Sequence, residues 1–358
     1  MRFTVFLVES HPKQMTDPDQ IDQHFFYERQ AMRPTLRTWI KHFAFLAVTF
    51  CTATVAGSMF PFGPFSNLPE DDPQTASEVV QFLLSLPVAY AGMIAEVVHQ
   101  LFVNSDLLTY GLKFSISLLF ILICHEMGHY VACRLYKVDA TLPFFIPTPP
   151  MIGPAGTFGA FIKILSPMPS RRAVFDIGVA GPIAGFIALT PVAIAAYATM
   201  TFGTLRDVEL GNISPINFSE PLLFKFLGFV YGVNTALPME QNPFYFAAWV
   251  GLLVTALNLI PSGQLDGGHA VYAVFGEKVH KWTGRIAFLL MATLSILGMY
   301  FFSSPSGFLI AIILAVMMRV RHPEPLDQTP LDGKRKIIAL LTLIIFALCF
   351  VPFPIKIN

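Results

Sequence analysis

The stretch Ile121-Leu122-Ile123-Cys124-His125-Glu126-Met127-Gly128-His129-Tyr130 (ILICHEMGHY) decides how the rest of the chain is read. It sets two histidines and a glutamate inside an otherwise apolar run from Phe114 to Cys133. Residues four apart share one face of a helix, so His125 and His129 can converge on a single cation. Glu126 sits one position past the first histidine, where it can reach a water at that cation without binding the cation itself. Polar groups at membrane depth are costly unless they have a function or a partner. In a soluble helix the same residues would carry far less weight.

The surrounding composition is that of a membrane protein. Of 358 residues, 54% are hydrophobic and only 13% are charged, whereas soluble domains run near about 25% charged. The formal net charge of +0 offers no basic surplus for nucleic acid. The four cysteines, Cys51, Cys124, Cys133 and Cys349, lie in apolar runs, so buried thiols are expected and no disulfide framework. The first thirty or so residues mix both charges and lack an apolar core followed by a small-residue cleavage site, which leaves membrane targeting to the first span.

Spans are expected at Phe43–Phe60, Phe114–Cys133, Val174–Phe202, Phe244–Ile260, Ile286–Phe302, Phe308–Met318 and Ile337–Val351, about seven in all. Arg33, Arg37 and Lys41 before the first, Arg134 and Lys137 after the second, and Arg171 and Arg172 before the third place these loops and the N-terminus in the cytoplasm. Val79–Val103 is apolar but interrupted by Pro87, Gly92, Glu96 and His99. A full span there would reverse every later loop, so a re-entrant or interfacial segment is expected. His125 precedes Arg134 by nine residues, about 14 Å of helix, which sinks it below the cytoplasmic interface. A short strand-like run opens the chain (Phe3–Val8), and a surface helix is expected around Pro221–Val230. Val138–Ser170, rich in proline and glycine, carries a β-like run at Phe158–Leu165. Gly181 and Gly185 are spaced to let another helix come close, or serve only to accommodate Pro182.

The fold class is therefore an all-α polytopic membrane protein, with about seven spans, the re-entrant segment and a small β-like cytoplasmic hairpin. It divides into an N-terminal segment (1–42), a first span with outer loop and re-entrant segment (43–111), a catalytic membrane core (112–282) and C-terminal spans (283–358).

Two histidines do not complete a catalytic zinc site; three protein ligands and one open position do. The best third ligand is Asp266 in NLIPSGQLDGGH, where Pro261 and Gly263 have broken the preceding span and Gly267 and Gly268 permit close approach. His269 competes for that place and otherwise packs nearby. Cys133 shares the face of His129 and could ligate, although a small buried hydrophobe is its commoner fate. His11, His24, His42 and His99 are expected at surfaces or interfaces, and Cys124 in packing. At such a site zinc acidifies a water and Glu126 accepts its proton as general base. Asn258, eight residues before Asp266, either donates to a developing oxyanion or bonds a neighbouring helix.

HEMGH in one span and NLIPSGQLDGGH at the end of a later one, with GPAGTFGAFIKILSPMPSRRAVFDIGVAGPIAG between them, resemble the site-2 protease family of intramembrane zinc metalloproteases. The likeness is to the branch with prokaryotic homologues and plant chloroplast members, and it covers roughly Phe114 to Phe275. It implies one zinc held by His125, His129 and Asp266, with Glu126 as base and Asn258 assisting. It further implies substrates that are themselves transmembrane segments in the lipid bilayer. A prokaryotic cytoplasmic (inner) membrane is the expected location. The loop Gly203–Pro243 is too short for the PDZ-like domain that many relatives carry. Two other functions stay open: a membrane-anchored peptidase of interfacial peptides, and a catalytically silent binding protein or transporter.

Overall fold

The structure, a computed structural model, describes residues 34–59, 75–151, 155–201, 216–233, 242–320 and 322–357. Among these residues the chain forms α1 (Leu36–Met59), α2 (Ala76–Val103), α3 (Ser105–Leu135), β1 (Phe144–Pro147), β2 (Thr157–Phe161), α4 (Arg171–Ala198) and β3 (Ile216–Phe218). There follow α5 (Leu222–Tyr231), α6 (Pro243–Leu259), α7 (Asp266–Phe275), α8 (Glu277–Phe302), α9 (Ser306–Met317), α10 (Gly333–Cys349) and β4 (Ile355–Ile357). The expected strand at Phe3–Val8 lies outside the described residues.

Among the described residues, five helices are long and apolar enough to cross a membrane: α1, α2, α3, α4 and α8. The expected spans at 244–260, 308–318 and 337–351 are helices of 17, 12 and 17 residues, below that length. Pro261 and the left-handed Gly263 end α6 early, and Asp332 caps α10 through the Arg335 amide. The segment expected to be re-entrant is one unbroken helix of 28 residues. A capping box between Thr75 and Glu78 starts it, and Pro87 removes one rung without ending it. Asn104 alone joins α2 to α3, accepting from the amides of Asp106 and Leu107.

The centre of the molecule is α3, α4 and α6. Phe114, Leu118 and Ile121 of α3 pack with Leu189 of α4 and Leu252 of α6, all essentially without solvent contact. Helix α1 runs antiparallel to α3: Thr54 bonds Ser115 near the start of α3, while His42 bonds the carbonyl of Pro143 beyond its end. Strands β1 and β2 pair antiparallel, with Phe144 opposite Phe161 and Phe145 opposite Ala160, giving the expected hairpin. A second two-stranded sheet joins β3 to β4. The surface helix expected near Pro221 is α5, which buries Leu223, Phe224 and Leu227.

The segment from His322 to Asp332 folds back under the core. Leu326 and Asp327 donate backbone bonds to Met168 and Pro169, and the Arg171 amide bonds Asp327. The Arg171 guanidinium donates twice to the carbonyl of Ala273, at 2.8 and 3.1 Å, in the last turn of α7. A cation there complements the helix dipole and fixes the end of α7. Arg335 clasps Asp176 through Nε at 2.9 Å and Nη2 at 2.6 Å, and its Nη2 also reaches the Tyr136 hydroxyl. Asp176 and Tyr136 bond each other as well, so α10, α4 and the foot of α3 are locked together.

Candidate active site

His125, Glu126 and His129 lie in the buried stripe of α3. Asp266 does not end α6; it opens the separate helix α7, after a turn through Pro261–Leu265. That turn brings its carboxylate across to α3. Asp266 Oδ2 is 3.3 Å from Nε2 of His125 and 3.3 Å from Nε2 of His129, and the two Nε2 atoms are 3.2 Å apart. Nδ1 of His129 donates to the carbonyl of Ile177 at 2.7 Å, which leaves a lone pair on its Nε2. Lone-pair atoms turned toward one another need a cation between them. A tetrahedral zinc with ligands at about 2.0 Å spaces its donors about 3.3 Å apart, so the three atoms fit the ion. Among the described residues, these are the ones grouped so as to hold a metal.

A stripe of glycines on α4 makes this possible. A Cβ on Gly181 would overlap the His129 ring, one on Gly185 would press on His125 Nδ1 at 3.0 Å, and one on Gly178 would meet the Cβ of His269 at 2.8 Å. Gly181 and Gly185 therefore do admit a close helix, as expected, and what they admit is the pair of imidazoles.

Glu126 is buried beside the three donors, and the backbone amide of Ile162 bonds its carboxylate. Amides alternate in direction along a strand. That of Lys163 goes to the Thr141 hydroxyl and that of Leu165 to the Asp139 carbonyl, on the side of β1. Ile162 and Ile164 thus turn theirs the other way, toward the site. A cavity of about 640 Å³ opens there, lined by the three donors, Glu126, Asn258, and residues 160–164. Asn258 Nδ2 lies 3.3 Å from His125 Nε2.

His269 lines the same cavity but stands outside the donor group, and its Nδ1 bonds His322 at 2.7 Å. His322 Nδ1 donates to the Pro323 carbonyl, so its Nε2 accepts from His269. Burial, aided by the neighbouring His269, holds His322 neutral, with its pKa lowered to about 3. Its ring stacks on Tyr272 at 3.9 Å between centroids. Sequence reading missed His322 and the Ile162 amide, because neither contact follows from a local spacing. Cys133 is buried in a hydrophobic cluster, Cys124 is half-buried and His99 is exposed. His11 and His24 lie outside the described residues.

A histidine pair, a carboxylate and an adjoining buried glutamate, set among helices of membrane-spanning length, make a candidate metal centre whose donor set fits zinc. The chain belongs to peptidase family M50, whose model matches residues 113–299. It is 29% identical over 249 residues to the probable zinc metalloprotease EGY1, chloroplastic, of Arabidopsis thaliana, covering 68% of this chain and 43% of that one. It is 26% identical over 276 residues to the probable zinc metalloprotease EGY2, chloroplastic, of the same plant, covering 76% and 46%. The chain thus spans less than half the length of these relatives. Their names place them in the chloroplast, so the expected prokaryotic inner membrane finds no support in them.

Proposed function

We propose that this protein is an intramembrane zinc endopeptidase that hydrolyses peptide bonds of transmembrane segments near the cytoplasmic end of α3. The observation that carries the reading is the triangle of donors, 3.2 to 3.3 Å on each side, with Glu126 beside it in a cavity. Zinc held by His125, His129 and Asp266 supplies Lewis acidity toward a water and a substrate carbonyl. Glu126 takes the proton from the attacking water and returns it to the leaving amine. The Ile162 amide keeps the carboxylate turned inward meanwhile. Asn258, whose Nδ2 lies 3.3 Å from His125 Nε2, would be free to donate to the oxyanion if zinc held that His125 lone pair.

A transmembrane helix conceals its peptide bonds in its own hydrogen bonds and must unwind before it is cut. The side of β2 and its extension that faces away from β1 offers main-chain groups to such a segment, directly beside Glu126.

The test compares wild type with Glu126→Gln, measuring zinc content together with cleavage of a helical transmembrane substrate. About one zinc per chain in both, with cleavage lost by a factor of at least about 10³ in the variant, is expected. Equal cleavage by both overturns the mechanism. Absence of zinc from the wild type favours the silent binding protein.

A further inference from the structure

Behind α7, on the face adjoining the one that carries Asp266 and His269, lies a groove of about 720 Å³. Gly267, Ala270, Val271 and Val274 of α7 form its floor, and Thr283 of α8 with Leu340 and Leu343 of α10 form its walls. Helix α8 packs on α7 and α9, and α10 packs on α4 and α6, so the groove is the gap left between α8 and α10. Leu340 and Leu343 are more than half exposed, which leaves it open sideways to the bilayer. Its lining is apolar apart from Thr283 and Thr342, and Lys336 at one end supplies the single charge.

The position of that charge matters. The neighbouring Arg335 is tied to Asp176 and Tyr136, which sets this turn of α10 level with the foot of α3 at the membrane surface. From Lys336 to Phe346, at the far end of the groove, is ten residues, about 15 Å of helix. We infer that the groove holds an acyl chain of an anionic phospholipid of the surrounding bilayer, with the lipid phosphate on Lys336. An apolar trough of chain-like length with one cation at headgroup depth matches a molecule with an apolar tail and one negative charge. A neutral lipid fits the trough but leaves the lysine unmatched. The site does not depend on the peptidase reading, although a lipid there would brace the helix that bears Asp266.

The experiment is native mass spectrometry of the full chain, titrated with phosphatidylglycerol or with phosphatidylcholine of the same acyl chains. Wild type should retain phosphatidylglycerol preferentially. Lys336→Ala should weaken that retention roughly fivefold, and Ala339→Phe, which fills the wall of the groove, should abolish the preference. Lys334→Ala is the control: two residues apart on a helix do not share a face, and Lys334 is outside the lining, so retention should stay as in wild type. Equal retention of the two lipids by wild type overturns the proposal, as does an equal loss in Lys334→Ala and Lys336→Ala, which would mean diffuse charge attraction. A photoreactive residue at Leu343 should cross-link to lipid. Cross-linking there to an added transmembrane substrate peptide instead would assign the groove to substrate and overturn the lipid reading.

Discussion

Gly181 is the residue outside the donor triangle on which the position of His129 depends most directly. Its missing side chain is the space in which the His129 ring stands. Gly181→Ala is expected to tilt that ring and weaken zinc retention about 10- to 100-fold, measured by competition with a chelator. Gly333→Ala, where an added Cβ meets nothing within 4 Å, should leave zinc retention unchanged; an equal loss in both would refute the steric account. The donors themselves were legible in the sequence because their signal is local and incongruous: His125 and His129 at helical spacing in an apolar run, and an acid between a helix break and two glycines. The glycine stripe was legible only as permission for closeness. What comes close is a side chain, and spacing cannot say which. The His269–His322 bond, 53 residues apart in sequence, left no trace in any spacing.

At the scale of elements, the hairpin and the helix break do the positioning. Strand β2 was legible as a β-like run, but not which of its edges is paired. The pairing is settled by residues 139–147, which take the amides of Lys163 and Leu165 and leave Ile162 and Ile164 facing the site. Ile164→Pro removes one amide from the site-facing edge and none from the paired one. Cleavage of a helical membrane substrate should fall roughly tenfold in kcat/KM, the worth of one main-chain hydrogen bond, with zinc content unaltered. An unchanged kcat/KM would mean that substrate does not add to this edge. The break after α6 was legible from Pro261 and Gly263. That Asp266 begins a helix of its own was not, because Leu265 precedes it without a side-chain cap to mark a helix start.

At the scale of the whole molecule, the sequence conveyed the membrane class and the helical core but not that α2 is one continuous helix. Pro87, Gly92, Glu96 and His99 look like interruptions one by one, yet 28 residues of helix hold through them. A helix of that length, about 42 Å, exceeds the roughly 30 Å hydrocarbon layer. Because α1 and α3 run antiparallel, however, the end of α1 and the start of α3 share a side. A full crossing by α2 alone would break that arrangement. Cysteines at Ser77 and Ser105 are therefore expected to label from the same side of the membrane with an impermeant reagent. Labelling from opposite sides would make α2 a full span. The helices are also very unequal in length. Beside α3, with 31 residues, stands α9 with only 12, and Leu309 and Ile312 on α9 are largely exposed. Twelve residues reach about 18 Å. If α9 crosses the bilayer, lipid meeting it would have to pinch inward to match so short an apolar belt. A passing helix in that thinned patch would find its own ends mismatched to the lipid.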